Sequence, residues 1–383
     1  MRSMGIDRRR FLALLAAGAL PLGGPAMARD AGPPLYLAAR KRNRRYEAVV
    51  FDAAGNDRHI VALPDRGHSF AIDARRGRAV AFGRQPGFFA VAFDLQGRSP
   101  PRELDLAEGR HFFGHGVYTP DGGLMFATEN DYEAGRGVLG IYDASDAGGY
   151  KRLGEFSTGG VGPHEAVLMR DGRTLCVANG GILTHPDYGK LELNLDTMKP
   201  SLAYVDARSG QLLEQAFLPR ELHRLSLRHM ALDAGGAVWV GCQYMGAAGD
   251  RPALVARHRR GEAIQLFSGP QEVLRDMRNY VGSVAADASG RIIATSSPVG
   301  NCVVFWDAAS GRFLGRTALD DGCGVAPAAS DGFLLSSGLG ALAGVDPAAS
   351  ASGASPSVAN TVDLRFVLPE EADRAWDNHM RRV

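Results

Sequence analysis

Ten histidines are spread through the 383 residues, and five of them sit in related settings. They are His68, His115, His164, His229 and His379, preceded by Gly67, Gly114, Pro163, Arg228 and Asn378. Neutral imidazole is the commonest metal-ligating side chain and suits copper, iron, nickel and zinc. Several imidazoles meeting without thiolates favour copper or iron over a structural zinc. The five are therefore candidate metal ligands. Glu165 and Arg228, each next to a histidine of the set, are candidates for orienting a ligand or holding a bound molecule, as are Glu129 and Asp131. Two other readings stay open: channel histidines with a purely structural role, and a site for an anionic small molecule.

Those five positions matter only if the fold brings them together, and the sequence repeats in a way that does so. One unit runs HGVYTPDG (115–122), LMFATEN (124–130), VLGIYD (138–143) and YKRLGEF (150–156). The next runs HEAVLMRDG (164–172), TLCVAN (174–179), LAYVD (202–206) and LLEQAF (212–217). Others start near His68, His229, Gly282 and Gly324, so successive starts are 47, 49, 65, 53 and 42 residues apart. Four short strands in about 40–50 residues make a propeller blade. The long interval contains an insertion over 180–200. Glycine, 49 of 383 residues, recurs in the turn between the first two strands, where a positive φ is required.

The chain ends complete the count. LYLAA (35–39), EAVVFD (47–52) and HIVAL (59–63) match strands two to four of a unit without a first strand, and WDNHMRRV (376–383) supplies it. The expected fold is all-β: one seven-bladed β-propeller over 30–383, closed by N- and C-terminal strands in one blade. First strands line the channel of such a fold. The five histidines then ring one channel mouth, with a gap at Gly282 and Gly324. WD-repeat propellers also carry a structural Gly-His at each blade start, and FWD (305–307) resembles their closing dipeptide. Here, however, the histidines fall closer to the turn aspartate, inside the first strand. The Ala/Ser-rich stretch 347–357 reads as a mobile loop of blade six.

The remaining features narrow the function. Lys plus Arg is 43 against 42 Asp plus Glu, a net charge of +1, which gives no electrostatic case for a nucleic-acid partner. There is no Cys-x-x-Cys-His for covalent haem, no Gly-x-Ser-x-Gly elbow, no P-loop and no dinucleotide fingerprint. Cys176, Cys242, Cys302 and Cys323 read as buried small apolar residues, although Cys302 and Cys323, in neighbouring blades, could pair. The loops expected on the histidine-bearing face are the polar ones, including TENDYE (128–133), the insertion and the basic run 41–45. The short basic run suits an acidic partner or an anion.

Residues 1–28 form an export address: Arg8, Arg9 and Arg10 before Phe11 and Leu12, an apolar run over 12–22, and a cleavage site after Ala28. The apolar run is too short to span a bilayer, and no later one is long enough. The expected product is a periplasmic protein exported by the twin-arginine pathway.

Certain strings carry a resemblance: GHGVYTPDG (114–122), TENDYE (128–133), GPHE (162–165), VANGGI (177–182), THPD (184–187), LNLDTM (193–198) and PSLAY (200–204). With them the chain resembles a bacterial family of twin-arginine-exported proteins known only as a domain of unknown function, over about 68–345 and more loosely at both ends. The resemblance implies a seven-bladed propeller like that of quinoprotein amine dehydrogenase. It also implies neighbours of two kinds, an imelysin-type protein and a di-haem oxidoreductase, in a setting of iron acquisition. It implies no catalytic residue. The sequence thus leads to a metal-binding or ligand-binding propeller that serves iron or copper handling. The alternative is a non-catalytic propeller that docks a periplasmic redox or transport partner. A metal-dependent hydrolase is a weaker third reading, because calcium would want oxygen ligands.

Overall fold

The computed structural model describes residues 34–350 and 361–383. The export segment 1–28 lies outside the described residues. The 347–357 stretch opens with a helical turn, Pro347–Ser350, and its remainder also lies outside them.

The described chain forms seven four-stranded antiparallel sheets. Six are built from consecutive strands, and their innermost strands are Gly67–Asp73, Arg110–Tyr118, Pro163–Leu168, Leu225–Leu232, Ser283–Ala286 and Gly322–Pro327. We number these blades one to six. In blade seven the inner strand is Arg374–Arg382, followed outward by Leu35–Arg42, Arg45–Asp52 and Asp57–Leu63. The two ends of the chain pair from Tyr36 opposite Arg382 to Arg42 opposite Arg374. This closure converts two free sheet edges into one ladder, so the ring has no open end.

Alternating side chains on each strand build the core, which lies between the blades. Phe126, Leu139 and Ile141 of blade two meet Ala166, Leu175 and Val177 of blade three. Leu37, Val50 and Val61 of blade seven meet Phe70, Ala81 and Val91 of blade one. Around the closure, Phe51 packs on Trp376 with ring centroids 5.0 Å apart. Turn glycines sit where the sequence expects them: Gly122 and Gly172 have φ of +66° and +65°, a region that side-chain-bearing residues avoid.

One departure from regular geometry decides where the chemistry goes. The register of the inner strand slips at His68-Ser69 in blade one, at Phe113 to His115 in blade two and at His164 in blade three. It slips again at Arg228 in blade four and at Asp377 to His379 in blade seven. Blade six bulges at Cys323-Gly324, whereas blade five, with no histidine here, pairs regularly. A β-bulge bends its strand and re-aims a side chain. In four blades the bulge contains a histidine, and in blade four it immediately precedes His229.

Candidate metal centre

The five histidines come together at the axis, and all are buried, between 1% and 6% exposed. The His68 ring centroid lies 5.0 Å from His115, 5.7 Å from His164, 6.4 Å from His229 and 4.6 Å from His379. His115 lies 5.2, 5.9 and 4.7 Å from His164, His229 and His379. His229 is 4.6 Å from His164 and 4.7 Å from His379. Metal–imidazole bonds of about 2.0–2.1 Å put an ion about 3.2 Å from each ring centroid. Rings at right angles about one ion are then about 4.5 Å apart, and opposed rings about 6.4 Å. The observed separations occupy that interval. In two triads, His68/His115/His164 and His115/His229/His379, one ring nitrogen per residue lies within 4.8 Å of the others. Nitrogens that share one ion lie about 3 Å apart, so the cluster would have to contract to hold one.

Six of the ring nitrogens make no hydrogen bond, and two of these, His68 Nδ1 and His229 Nδ1, stand 3.9 Å from the carboxylates of Asp377 and Glu165. Nε2 of His115, His164 and His379, Nδ1 of His68 and both nitrogens of His229 are buried without a hydrogen-bond partner. An orphaned buried polar atom costs about 1–3 kcal/mol, and here six occur in one small volume. On the far side of the rings the fit to a metal continues. Glu165 faces His115 Nδ1 at 3.5 Å and His229 Nδ1 at 3.9 Å. Its carboxylate also accepts from Arg381 Nη2 at 2.6 Å and from the Met230 amide at 2.9 Å. Arg228 Nη1 is 3.4 Å from His164 Nδ1. Carboxylates and donors behind ligand histidines fix the ring orientation and the tautomer, and these contacts leave Nε2 of His115 and His164 facing inward.

Electrostatics favours the ligand-ready state. Burial pushes His68 down to about 4, although Asp377 pulls the other way. His164, His229 and His379 are driven well below the ordinary 6.5, first by burial and then by one another and nearby cations. They are neutral at pH 7. Burial raises Glu165, but His115 and Arg381 outweigh it and hold the carboxyl below its usual range. Asp377 is likewise held down at about 2 against burial, by His68, Arg66 and Arg84.

A cavity of about 180 Å³ has His68, His164 and His229 in its lining and the blade-three insertion as one wall. Gln85 Nε2 donates to Thr184 Oγ1 at 3.1 Å and Asn130 Nδ2 donates to the Thr184 carbonyl at 3.1 Å, which ties the insertion to blades one and two. Asn130 Nδ2 also lies 3.1 Å from His111 Nε2.

Of the other expected site residues, Glu165 and Arg228 stand at the cluster. Glu129 and Asp131 do not. Glu129 is fully buried inside blade two, where it accepts from Tyr142 Oη and Arg152 Nη2, each at 2.7 Å. Asp131 pairs with Arg110 and Arg136 at the end of the same blade. Both carboxylates are spent on blade architecture, because alternation turns them away from the axis. The four cysteines are free and buried, so Cys302 and Cys323 are not paired. Burial pushes Cys302 up to about 11 and Cys323 up to about 12. Asp377, Arg381, Arg84 and Tyr280 surround the centre without having been singled out in the sequence. The first two flank His379 at two residues' distance, which is the one signal that could have found them.

With the geometry in place, comparison with known proteins adds a family. A family model described as "Protein of unknown function (DUF1513)" matches residues 61–383, a span that contains all five histidines. The chain belongs to this family. A comparison with the curated proteins finds no match. Among solved structures, hydrazine synthase of Kuenenia stuttgartiensis is similar with a TM-score of 0.56 at 12% identity, over 91% of this chain and 99% of that one. A chain of a nidogen/laminin complex is similar at 0.46 and 14% identity, over 74% and 92% of the two chains. For this DUF1513 member the first likeness speaks for the propeller fold alone. No helix among the described residues is long and apolar enough to cross a membrane.

Proposed function

We propose that the five-histidine cluster binds one transition-metal ion and that the protein serves copper or iron handling. The observation that carries this is the packing of five buried imidazoles at the axis, where two triads that share His115 each bring one ring nitrogen per residue within 4.8 Å of the others and Nε2 of His115, His164, His229 and His379 has no hydrogen-bond partner. A set of structural histidines would be expected to spend those nitrogens on backbone or side-chain partners, as His111 and His258 do. All-imidazole ligation without a thiolate suits Cu(II), and iron is the second candidate. Glu165 and Arg381 hold His115 and His229 from behind, and His68, His164 and His229 present the ion to the cavity. The export address at 1–28 supports a periplasmic setting through the twin-arginine pathway. There a di-haem oxidoreductase or an imelysin-type protein is the proposed partner.

Titration of metal-free protein with Cu(II), followed by electron paramagnetic resonance, tests the reading. A one-to-one signal with nitrogen hyperfine structure, altered in His229→Ala, is expected. A signal unaffected by substitution of any of the five histidines would refute it.

A further inference from the structure

Arg228 is a cation without an anion. It sits in the bulge beside His229 and lines the cavity above the cluster. Its Nε is buried with no partner, and its one hydrogen-bonding contact is Nη1 to His164 Nδ1 at 3.4 Å. Among the described residues no carboxylate lies within 4.0 Å of its guanidinium, while Arg66, Arg84, Arg152 and Arg381 all have one. Arg228 is partly buried, and a cation drawn from water without a counter-ion is costly to a fold.

The surroundings make the imbalance larger. The cavity lining adds Arg84 and Lys190 against the single carboxylate of Glu192, and Arg84 is already held by Asp377 at 3.3 Å. Imidazole ligands bring no negative charge to a bound cation. The space is about 180 Å³, enough for roughly six waters or a molecule of a few carbon atoms. Guanidinium presents a planar fork that matches two oxygens on one carbon or phosphorus.

We propose that this cavity is an anion subsite in which Arg228 binds a small oxyanion, a carboxylate or a phosphate, directly above the metal position. The assignment builds on the metal reading but does not depend on it, because the orphan guanidinium exists without the metal.

Calorimetric titration of copper-loaded and metal-free full-length protein with acetate, oxalate and inorganic phosphate tests it, with metal content measured on the same samples. The wild type is expected to bind at least one of the three. Arg228→Gln should weaken that binding about 10- to 100-fold, as loss of a charge-assisted forked contact does. Arg228→Lys, which keeps the charge and loses the fork, should fall between. Metal content and melting temperature, measured for each variant, separate loss of the anion contact from loss of the metal or of the fold. The anion bound most tightly distinguishes a carboxylate ligand from a phosphate one. Equal affinity in wild type and both variants, or no binding of any of the three, overturns the subsite, and near-stoichiometric copper in those samples would leave the metal reading standing. If the wild type takes up no metal but still binds an anion through Arg228, the subsite stands and the metal reading falls.

Discussion

Gly114 stands at φ +101°, with the His68 ring packed where its side chain would begin. The bulge that delivers His115 therefore needs a residue with no Cβ, both for its backbone and for its neighbour. Gly114→Ala should lower stability by about 1–3 kcal/mol through that strain and displace His68 and His115. Denaturant unfolding together with copper stoichiometry checks both effects. His111 gives a second residue-scale prediction, independent of any metal. It is 1% exposed, and burial brings it down to about 4 although the Phe112 carbonyl opposes this. In the unfolded chain it titrates near 6.5. Between those values the unfolded state binds the extra proton, so stability falls as pH drops from about 6.5 to about 4 and levels off below. The loss from this one group is on the order of 3 kcal/mol. Urea midpoints at pH 7.5 and pH 4.5 should differ by less in His111→Gln than in the wild type.

At the scale of elements, the histidine positions and the blade repeat were legible because both are written in local spacing: an apolar run, a Gly-bearing turn, another run. Closure by the two termini was legible for the same reason, since 35–63 and 376–383 each carry part of one unit. What spacing does not carry is the direction of a side chain. Glu129 and Asp131 lie next to a polar loop in sequence, yet the regular pleat of Leu124–Asp131 turns Glu129 onto Arg152 and Tyr142. The bulges, which aim the histidines, are set by long-range register and leave only the faint signature of a glycine or proline before the ligand. The closing strand makes its own prediction. Trp376 is buried against Phe51, lies under Arg40 with the guanidinium carbon 5.3 Å from its ring centroid, and donates from Nε1 to the Gly340 carbonyl at 3.1 Å. Trp376→Ala should cost about 3–5 kcal/mol. Because His379 rides on the same strand, the loss should appear in metal affinity as well as in thermal unfolding.

Across the described residues, seven sheets converge on one axis, and five of them bring a buried imidazole there within or beside a bulge of the inner strand. The interblade cores carry the fold, so the metal-free protein is expected to be folded and its melting temperature to rise on binding, since a ligand of the native state alone stabilises it by mass action. The central claim is that one ion belongs at the axis. The most direct measurement is elemental analysis of protein exported through its own N-terminal segment and purified without chelators, beside a His115→Ala/His164→Ala double variant verified as folded by circular dichroism. Close to one copper or iron per wild-type chain is expected, with loss of that metal in the variant. A wild-type protein that carries no metal and takes up neither copper nor iron on addition, or a variant that retains a full equivalent, would contradict it.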